Sequence, residues 1–283
     1  MTEEKQRREV REGYAKIAVK HSSCCGCNKS YEESKKMGYS KDELEAAPEG
    51  ANMGLGCGNP VALTSLEEGE VVVDLGSGGG FDCFLAAKKV GQRGKVIGVD
   101  MTPEMIDKAR EKARKSKYTN VEFRLGEIET LPVADNTAEV VISNCVINLT
   151  PDKKKVFREA FRVLKPGGRL MISDLVLLKA LPEAVKKGMN STSCVVGAIM
   201  KDAYIETINA VGFENVRIIQ EKSYSEDFAD DPNEEVLVFN PKTNATETKK
   251  VSELDEKEKQ RMNEILGATL SINLSATKPR ANT

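Results

Sequence analysis

The stretch Glu70-Val71-Val72-Val73-Asp74-Leu75-Gly76-Ser77-Gly78-Gly79-Gly80-Phe81-Asp82 decides the fold. Its first half is a short, continuous apolar run stopped by glycine, the pattern of a strand buried on both faces. Its second half is a glycine loop, which can turn tightly and approach a ligand with no Cβ in the way. FDCFLAAKKV then reads as a helix, and KVIGVD as a second buried strand ending at Asp100. PEMIDKAREKARKS predicts a helix with Pro103 in its first turn and Thr102 as N-cap. VEFRLG, AEVVISNCVI and GRLMISDLVLL read as the third, fourth and fifth strands, and KKKVFREAFRVLK as a helix ending at Pro166 and Gly167. Strands alternating with helices at this spacing imply βαβ units and a mainly parallel sheet.

Outside this core the pattern loosens. Residues 3 to 20 predict an amphipathic helix, followed by the loop HSSCCGCNKS. Residues 28 to 60 are polar and Gly-rich, with a short helix at KDELEAA and an irregular GANMGLGCGNP. Beyond residue 180, PEAVKKGMN and MKDAYIETINAVG predict helices, with Gly212 as the C′ residue of the second. NVRIIQEKSY and NEEVLVFNP read as strands, taken as an antiparallel pair completing the sheet. The polar tail from about 241 holds a helical stretch, SELDEKEKQRMNEIL, and a β-like run, ATLSINLSATK, with no motif that carries chemistry. The expected division is an N-terminal helical and Cys-rich segment (1–67), an α/β core (68–180) and a substrate-binding, sheet-completing segment (181–283).

Composition excludes several classes. A formal net charge of -2 argues against a nucleic-acid partner, which calls for a basic excess. No run of apolar residues is long enough to span a bilayer, and the charged N-terminal stretch lacks the apolar core of a secretory signal, so a cytoplasmic location is expected. There the seven cysteines stay mostly reduced, and their odd number speaks for soft-metal binding or redox chemistry rather than a disulfide framework. A single histidine, His21, nearly removes histidine-based metal sites and serine–histidine triads from the inventory. No coiled-coil seam is visible, which points to a monomer.

The loop is G-x-G-x-G with an acid two residues before it, not the dinucleotide pattern G-x-G-x-x-G. Asp74 would repel a pyrophosphate and suit a cationic sulfonium or an amino group, which favours S-adenosyl-L-methionine over a nicotinamide dinucleotide. Asp100 ends the next strand, where a carboxylate can accept hydrogen bonds from a ribose diol. VVVDLGSGGGFD followed by GKVIGVDMTPEMIDKAR resembles the class I S-adenosylmethionine-dependent methyltransferases, with their Rossmann-like, doubly wound, mainly parallel sheet. The resemblance implies that Asp74, Gly76, Ser77, Gly78 and Gly80 form the cofactor loop and that Asp100 holds the ribose. It further implies that Met101 flanks the adenine, Glu127 reaches its amino group, Ile128 supplies a backbone N–H, and Asn144 lies near the methionine part.

The cysteines narrow the match. Cys57 in GLGCGNP, Cys145 in ISNCVINL and Cys194 in STSCVVGAIM resemble the pattern of the arsenite methyltransferases. Cys57 and Cys145 flank the cofactor loop in any doubly wound sheet, whereas Cys194 must fold back over the same edge. Trivalent arsenic is soft and thiolate is the matching ligand, so the three would hold As(III), as arsenite or methylarsenite, with its lone pair aimed at the sulfonium methyl. The resemblance implies a redox role for one of Cys24, Cys25 and Cys27, reset by an external thiol or a thioredoxin-like protein. Cys83, on the helix after the loop, reads as a buried packing residue. The C-x-x-C of Cys24 and Cys27 lacks the second pair a structural zinc site needs. Two rival readings are a methyltransferase of a small organic molecule, with incidental cysteines, and a non-catalytic metalloid-binding module.

Overall fold

The computed structural model describes residues 2–20, 27–60, 66–182, 189, 193–223, 235–240 and 245–280. The strands are β1 (Val71–Leu75), β2 (Lys95–Asp100), β3 (Val121–Leu125), β4 (Ala138–Asn144), β5 (Leu164–Leu177), β6 (Glu214–Ser223), β7 (Glu235–Asn240), β8 (Ala245–Lys250) and β9 (Thr269–Thr277). Seven of them form one sheet in the order β3-β2-β1-β4-β5-β9-β6. All its neighbours run parallel except β9, which is antiparallel to both β5 and β6. This is the class I S-adenosylmethionine methyltransferase fold.

The helices are α1 (Glu3–Lys20), α2 (Cys27–Lys36), α3 (Lys41–Ala46), α4 (Phe81–Val90), α5 (Pro103–Lys115), α6 (Lys153–Val163), α7 (Cys194–Gly197), α8 (Lys201–Asn209) and α9 (Glu256–Leu266). Apolar residues of α4 and α5, among them Phe84, Ile106 and Ala109, pack with Val72, Val140 and Ile142 on one face of the sheet. Phe157 and Ala160 of α6 with Tyr204 and Ile208 of α8 cover the other. The β1–β5 core therefore buries both faces, which is why its strands read as unbroken apolar runs rather than alternating ones.

The ends of the core differ from the sequence reading in small ways with physical causes. Helix α6 stops at Val163 rather than running to Pro166, and Leu164 is already extended and paired with Ala138. A residue before proline avoids the α region, so the chain leaves the helix early and bulges over Lys165–Gly168. Thr102 does occupy the N-cap of α5 but makes no side-chain cap bond. Gly212 takes a positive φ two residues beyond the C-cap Ala210, one place further on than C′. The stretch PEAVKKGMN lies mostly outside the described residues.

The larger correction concerns the C-terminal strands. β6 and β7 are not partners: β7 pairs with β8 in a separate two-stranded sheet, and the run ATLSINLSATK inserts between β5 and β6 as β9. Leu270, Ile272, Leu274 and Ala276 alternate into the core on one face. The intervening Ser271 and Asn273 face the loop around Cys57. Among the described residues no helix is long and apolar enough to cross a membrane.

Candidate functional site

A cleft opens at the carboxyl ends of β1, β2 and β4, where the strand order reverses between β1 and β4. The glycine loop forms its floor. Gly78 has φ +50, and a Cβ built there meets nothing within 4 Å, so the loop presents bare backbone to open space. Gly80 serves packing instead: a Cβ there would fall 2.7 Å from Phe123, and the residue is absent from the cleft wall. Asp100 braces the loop, accepting the Gly78 N–H at 2.9 Å and the Thr102 N–H at 2.8 Å. Burial raises its pKa, and these bonds hold the rise back.

The acids at the other end are more strongly perturbed. Asp74 is pushed well above the usual carboxylate range by burial and by the charge of Asp82, against a hydrogen bond from the Cys83 thiol at 3.1 Å. Burial pushes Asp82 up to about 6, against hydrogen bonds from Tyr39 Oη at 2.6 Å and Asn144 Nδ2 at 3.1 Å. Two buried carboxylates side by side favour a cationic group between them. Ser77 Oγ, also on the cleft wall, is buried with no hydrogen-bond partner. A bare-backbone cradle, an unpartnered hydroxyl and a carboxylate pair fit S-adenosylmethionine, whose α-ammonium and sulfonium carry positive charge.

Met101, Ile128 and Asn144 line the cleft, but Glu127 does not. Glu129 takes a place on the wall, and Glu127 faces a shallower depression beside Arg11 and Glu12. Helix α1 roofs the cleft with Arg7, Val10 and Tyr14. Arg7 is 3.1 Å from Glu129 and 3.6 Å from Glu127, which ties the roof to the turn after β3.

Beyond the cofactor loop the thiols converge. Cys145 follows β4 with φ +57, lines the cleft, and clusters with Cys57, Leu175 and the partly buried Cys194. Cys57, Cys83, Cys145 and Cys194 are all free. Cys194 does fold back over the edge: its thiol donates to the Cys145 carbonyl at 2.7 Å. Gly197, at the end of α7, abuts the Asn148 carbonyl so closely that no Cβ could be accommodated. Cys57 is held between two glycines for a similar reason. A Cβ at Gly56 would lie 2.6 Å from Asn144 Nδ2, and one at Gly58 2.8 Å from both Ser173 Oγ and Asn273 Oδ1. The Cys57 N–H donates to Asn144 Oδ1 at 3.0 Å, its carbonyl accepts from Ser271 Oγ at 2.8 Å, and its thiol contacts the Ser173 carbonyl at 3.4 Å. Asn144 thus joins the cysteine loop to Asp82 and the cofactor loop.

All three thiols titrate high. Burial pushes Cys57 up to about 11. Cys145 rises well above its ordinary value because hydrogen bonding to Cys57 and burial outweigh the opposing bond from Cys194. Hydrogen bonding to Cys145 and burial raise Cys194 likewise. Cys24 and Cys25 lie outside the described residues, and Cys27 opens α2 with its side chain also outside them.

A family model described as a methyltransferase domain matches residues 66–227. The chain belongs to the methyltransferase-domain family. Within it, the chain is 48% identical over 242 residues to an arsenite methyltransferase of Halobacterium salinarum, covering 80% of this chain and 62% of that protein. It is 36% identical over 216 residues to one of Aquipseudomonas alcaligenes, covering 73% of this chain and 60% of that protein. The chain thus spans about three fifths of the length of these curated relatives. Among solved structures, an arsenic(III) S-adenosylmethionine methyltransferase from Chlamydomonas reinhardtii aligns with TM-score 0.62 and 30% identity. That alignment covers 89% of this chain and 75% of the algal one.

Sequence reasoning about this family member gave no role to Asp82, Arg7, Val10 or Tyr14, and missed four further residues. Asp174 lies in an apolar strand, and its carboxylate is within 4.8 Å of the Cys57 and Cys145 sulfurs. Glu129 replaces Glu127 on the wall, Tyr39 bonds Asp82, and Ser271 holds Cys57. Of these four, only Asp174 had a visible signal, an acid inside a buried strand.

Proposed function

We propose that the chain is an arsenite methyltransferase that transfers the methyl of S-adenosylmethionine to As(III) held by Cys57, Cys145 and Cys194. One observation carries this reading. Three thiols from three separated segments form one cluster, and that cluster reaches the cofactor cleft through Cys145. The arsenite methyltransferases among its relatives support it.

The residues divide the work. The Gly78 backbone, Asp100, Met101 and Ile128 would hold the nucleoside part of S-adenosylmethionine, and Asp74, Asp82 and Asn144 its amino-acid end. When bound, it supplies a methyl group on a cationic sulfur. Arsenite enters as neutral As(OH)₃. Three As–S bonds form, three As–O bonds break, and the three thiol protons leave with the hydroxides as water. No base is needed, which suits thiols that burial keeps protonated. Cys194 must leave its bond to the Cys145 carbonyl to close the pyramid. The lone pair of arsenic, oriented by the three sulfurs, would accept the methyl as the S–CH3 bond breaks, and S-adenosylhomocysteine would leave. Arg7, Val10 and Tyr14 keep water from the cleft.

Methylation of the lone pair raises arsenic formally to As(V), and return to As(III) takes two electrons. The thiol of one of Cys24, Cys25 and Cys27 attacks the Cys57 sulfur, a disulfide forms, the Cys57–As bond breaks with its electron pair returning to arsenic, and the attacking thiol's proton is lost to solvent. An external thiol or thioredoxin-like protein then reopens the disulfide. In this scheme residues 1–67 complete the substrate site, 68–180 bind the cofactor, and 181–283 complete the sheet and the site. The chain acts as a cytoplasmic monomer.

The test is to incubate the protein with labelled S-adenosylmethionine, arsenite and a thiol, and to follow methylarsenic by chromatography. Methylated arsenic from the parent and none from Cys145→Ser, with cofactor binding retained in both, is the expected result. Cofactor binding with no arsenic product from the parent would overturn the arsenite assignment and redirect the search to small organic acceptors.

A further inference from the structure

The thiol cluster contains a carboxylate that arsenic chemistry does not use. The ligand atoms of Cys57, Cys145 and Asp174 all lie within 4.8 Å of one another, and all three residues are buried. Cys194 stands outside this trio, bound to the backbone of Cys145. The Asp174 carboxylate is oriented from several sides. Its Oδ1 accepts from Asn148 Nδ2 and from the Leu175 N–H, both at 2.8 Å, and its Oδ2 accepts from Tyr204 Oη at 2.9 Å. A carboxylate oxygen offers about two lone-pair directions, so Oδ1 is filled and Oδ2 keeps one for a ligand. Such outer bonds characterise carboxylates that bind metal.

From this geometry we propose that Cys57, Cys145 and Asp174 form a binding site for a thiophilic divalent cation of the zinc and cadmium class. Tetrahedral zinc takes sulfur at about 2.3 Å and carboxylate oxygen at about 2.0–2.2 Å, which sets ligand atoms about 3.4–3.8 Å apart. The trio reaches that spacing by small side-chain movements. Two sulfurs select for a soft ion over magnesium or calcium. Loading forms two metal–sulfur bonds and one metal–oxygen bond, and releases the two thiol protons to solvent. The loaded site carries one net negative charge, and the ammonium of the half-buried Lys153 acts on Asp174 to offset it. A cation seated there occupies two of the three thiols assigned to arsenite, so it acts as a competitor of that substrate. The site itself stands on its own geometry and does not depend on the arsenite assignment.

The experiment uses the full chain with Cys24, Cys25 and Cys27 all changed to Ser, so that no other cysteine cluster contributes. Zinc alone and cadmium alone are titrated, with cadmium followed by its thiolate charge-transfer absorption. One cation per chain is expected. Asp174→Asn in the same background should weaken binding by about a hundredfold or more, beyond the range that outer ligand partners command. Arsenite binding, which uses sulfur alone, should be unaffected by Asp174→Asn. Absence of stoichiometric binding in the parent, or equal affinity in Asp174→Asn, overturns the site. Should that variant not fold, X-ray absorption on the zinc-loaded parent decides: a shell of two sulfurs with oxygen supports the proposal, and a shell of three or four sulfurs overturns it. A parent that binds zinc but not arsenite would refute the arsenite reading alone.

Discussion

Gly58→Ala separates the cysteine loop from the cofactor loop. The φ of Gly58 is outside the left-handed region, so alanine strains no backbone angle. Its Cβ would sit 2.8 Å from Ser173 Oγ, 2.8 Å from Asn273 Oδ1 and 2.9 Å from Ser173 Cβ, short of ordinary contact by roughly 0.6–1 Å. Neither neighbour can yield, because Ser173 and Asn273 are cross-strand partners joined by a 2.6 Å hydrogen bond. The loop must move instead. It is pinned by three neutral hydrogen bonds, from the Cys57 N–H to Asn144, to the Cys57 carbonyl from Ser271 and to the Gly58 carbonyl from Asn144 Nδ2, together worth about 3 kcal/mol. Overpacking costs about 1–3 kcal/mol, so strain and anchoring are of similar size and the loop detaches. The melting temperature should then fall by about 2–4 °C for each kcal/mol lost. Titration with S-adenosylmethionine should show a smaller loss than arsenite does, since Asp100 and Gly78 are untouched and, of the groups assigned to the cofactor, only Asn144 loses its bonds to the loop. Arsenite affinity should fall about tenfold or more, as one sulfur leaves the pyramid. Parent-like arsenite affinity in a folded Gly58→Ala protein would refute the claim that Cys57 is held in place by this packing.

Three further outcomes follow from the same geometry. Asp100→Asn turns an amide toward the Gly78 and Thr102 N–H donors, and isothermal titration should show S-adenosylmethionine binding weakened by about tenfold or more; unchanged binding would remove Asp100 from the cofactor site. Arg7→Ala leaves the buried Glu129 without its 3.1 Å partner, and should loosen α1 in hydrogen exchange and cost about 1–2 kcal/mol; unchanged protection of α1 would show that the ion pair does not hold the roof. Burial lifts Asp174 to about 6 in the folded chain, so its contribution to stability is full below pH 4 and is lost as pH rises through 6, by roughly 3 kcal/mol. Urea unfolding from pH 4 to 7 should therefore show Asp174→Asn gaining on the parent as pH rises, and a constant difference across that window would contradict the buried ionisation.

Where local pattern and tertiary environment agree, the residues announce their structure. The β1, β2 and α4 boundaries follow directly from EVVVDLG, KVIGVD and FDCFLAAKKV, because both faces of that sheet are covered and the strands can be apolar throughout. Helix α2 was not legible. CNKSYEESKK has no apolar stripe, and the segment is tied down from outside by the bond from Ser34 to Asn52. Strand β9 showed its alternation but not its neighbours, since a period of two cannot say which edge a strand will join.

The candidate site divides the same way. Asp74, the glycines and Asp100 lie within one βαβ unit, so their convergence follows from local chain geometry and was readable as a motif. Cys57, Cys145 and Cys194 are nominated by the resemblance of their motifs together with the softness of the thiol. Their meeting is tertiary: it needs Asn144 and Ser271 to grip the Cys57 loop and Gly197 to let α7 close on Asn148. The choice of Glu129 over Glu127 on the cleft wall was also beyond sequence, because it depends on how the turn after β3 is set by Arg7 on a distant helix. Sequence alone determined the parallel β1–β5 core of the sheet, its glycine loop and the inventory of soft ligands, through patterns that short-range physics imposes. Tertiary structure alone decided which ligands meet and that Asp174 stands among them, because those contacts join residues whose spacing in the chain carries no information about their distance in space.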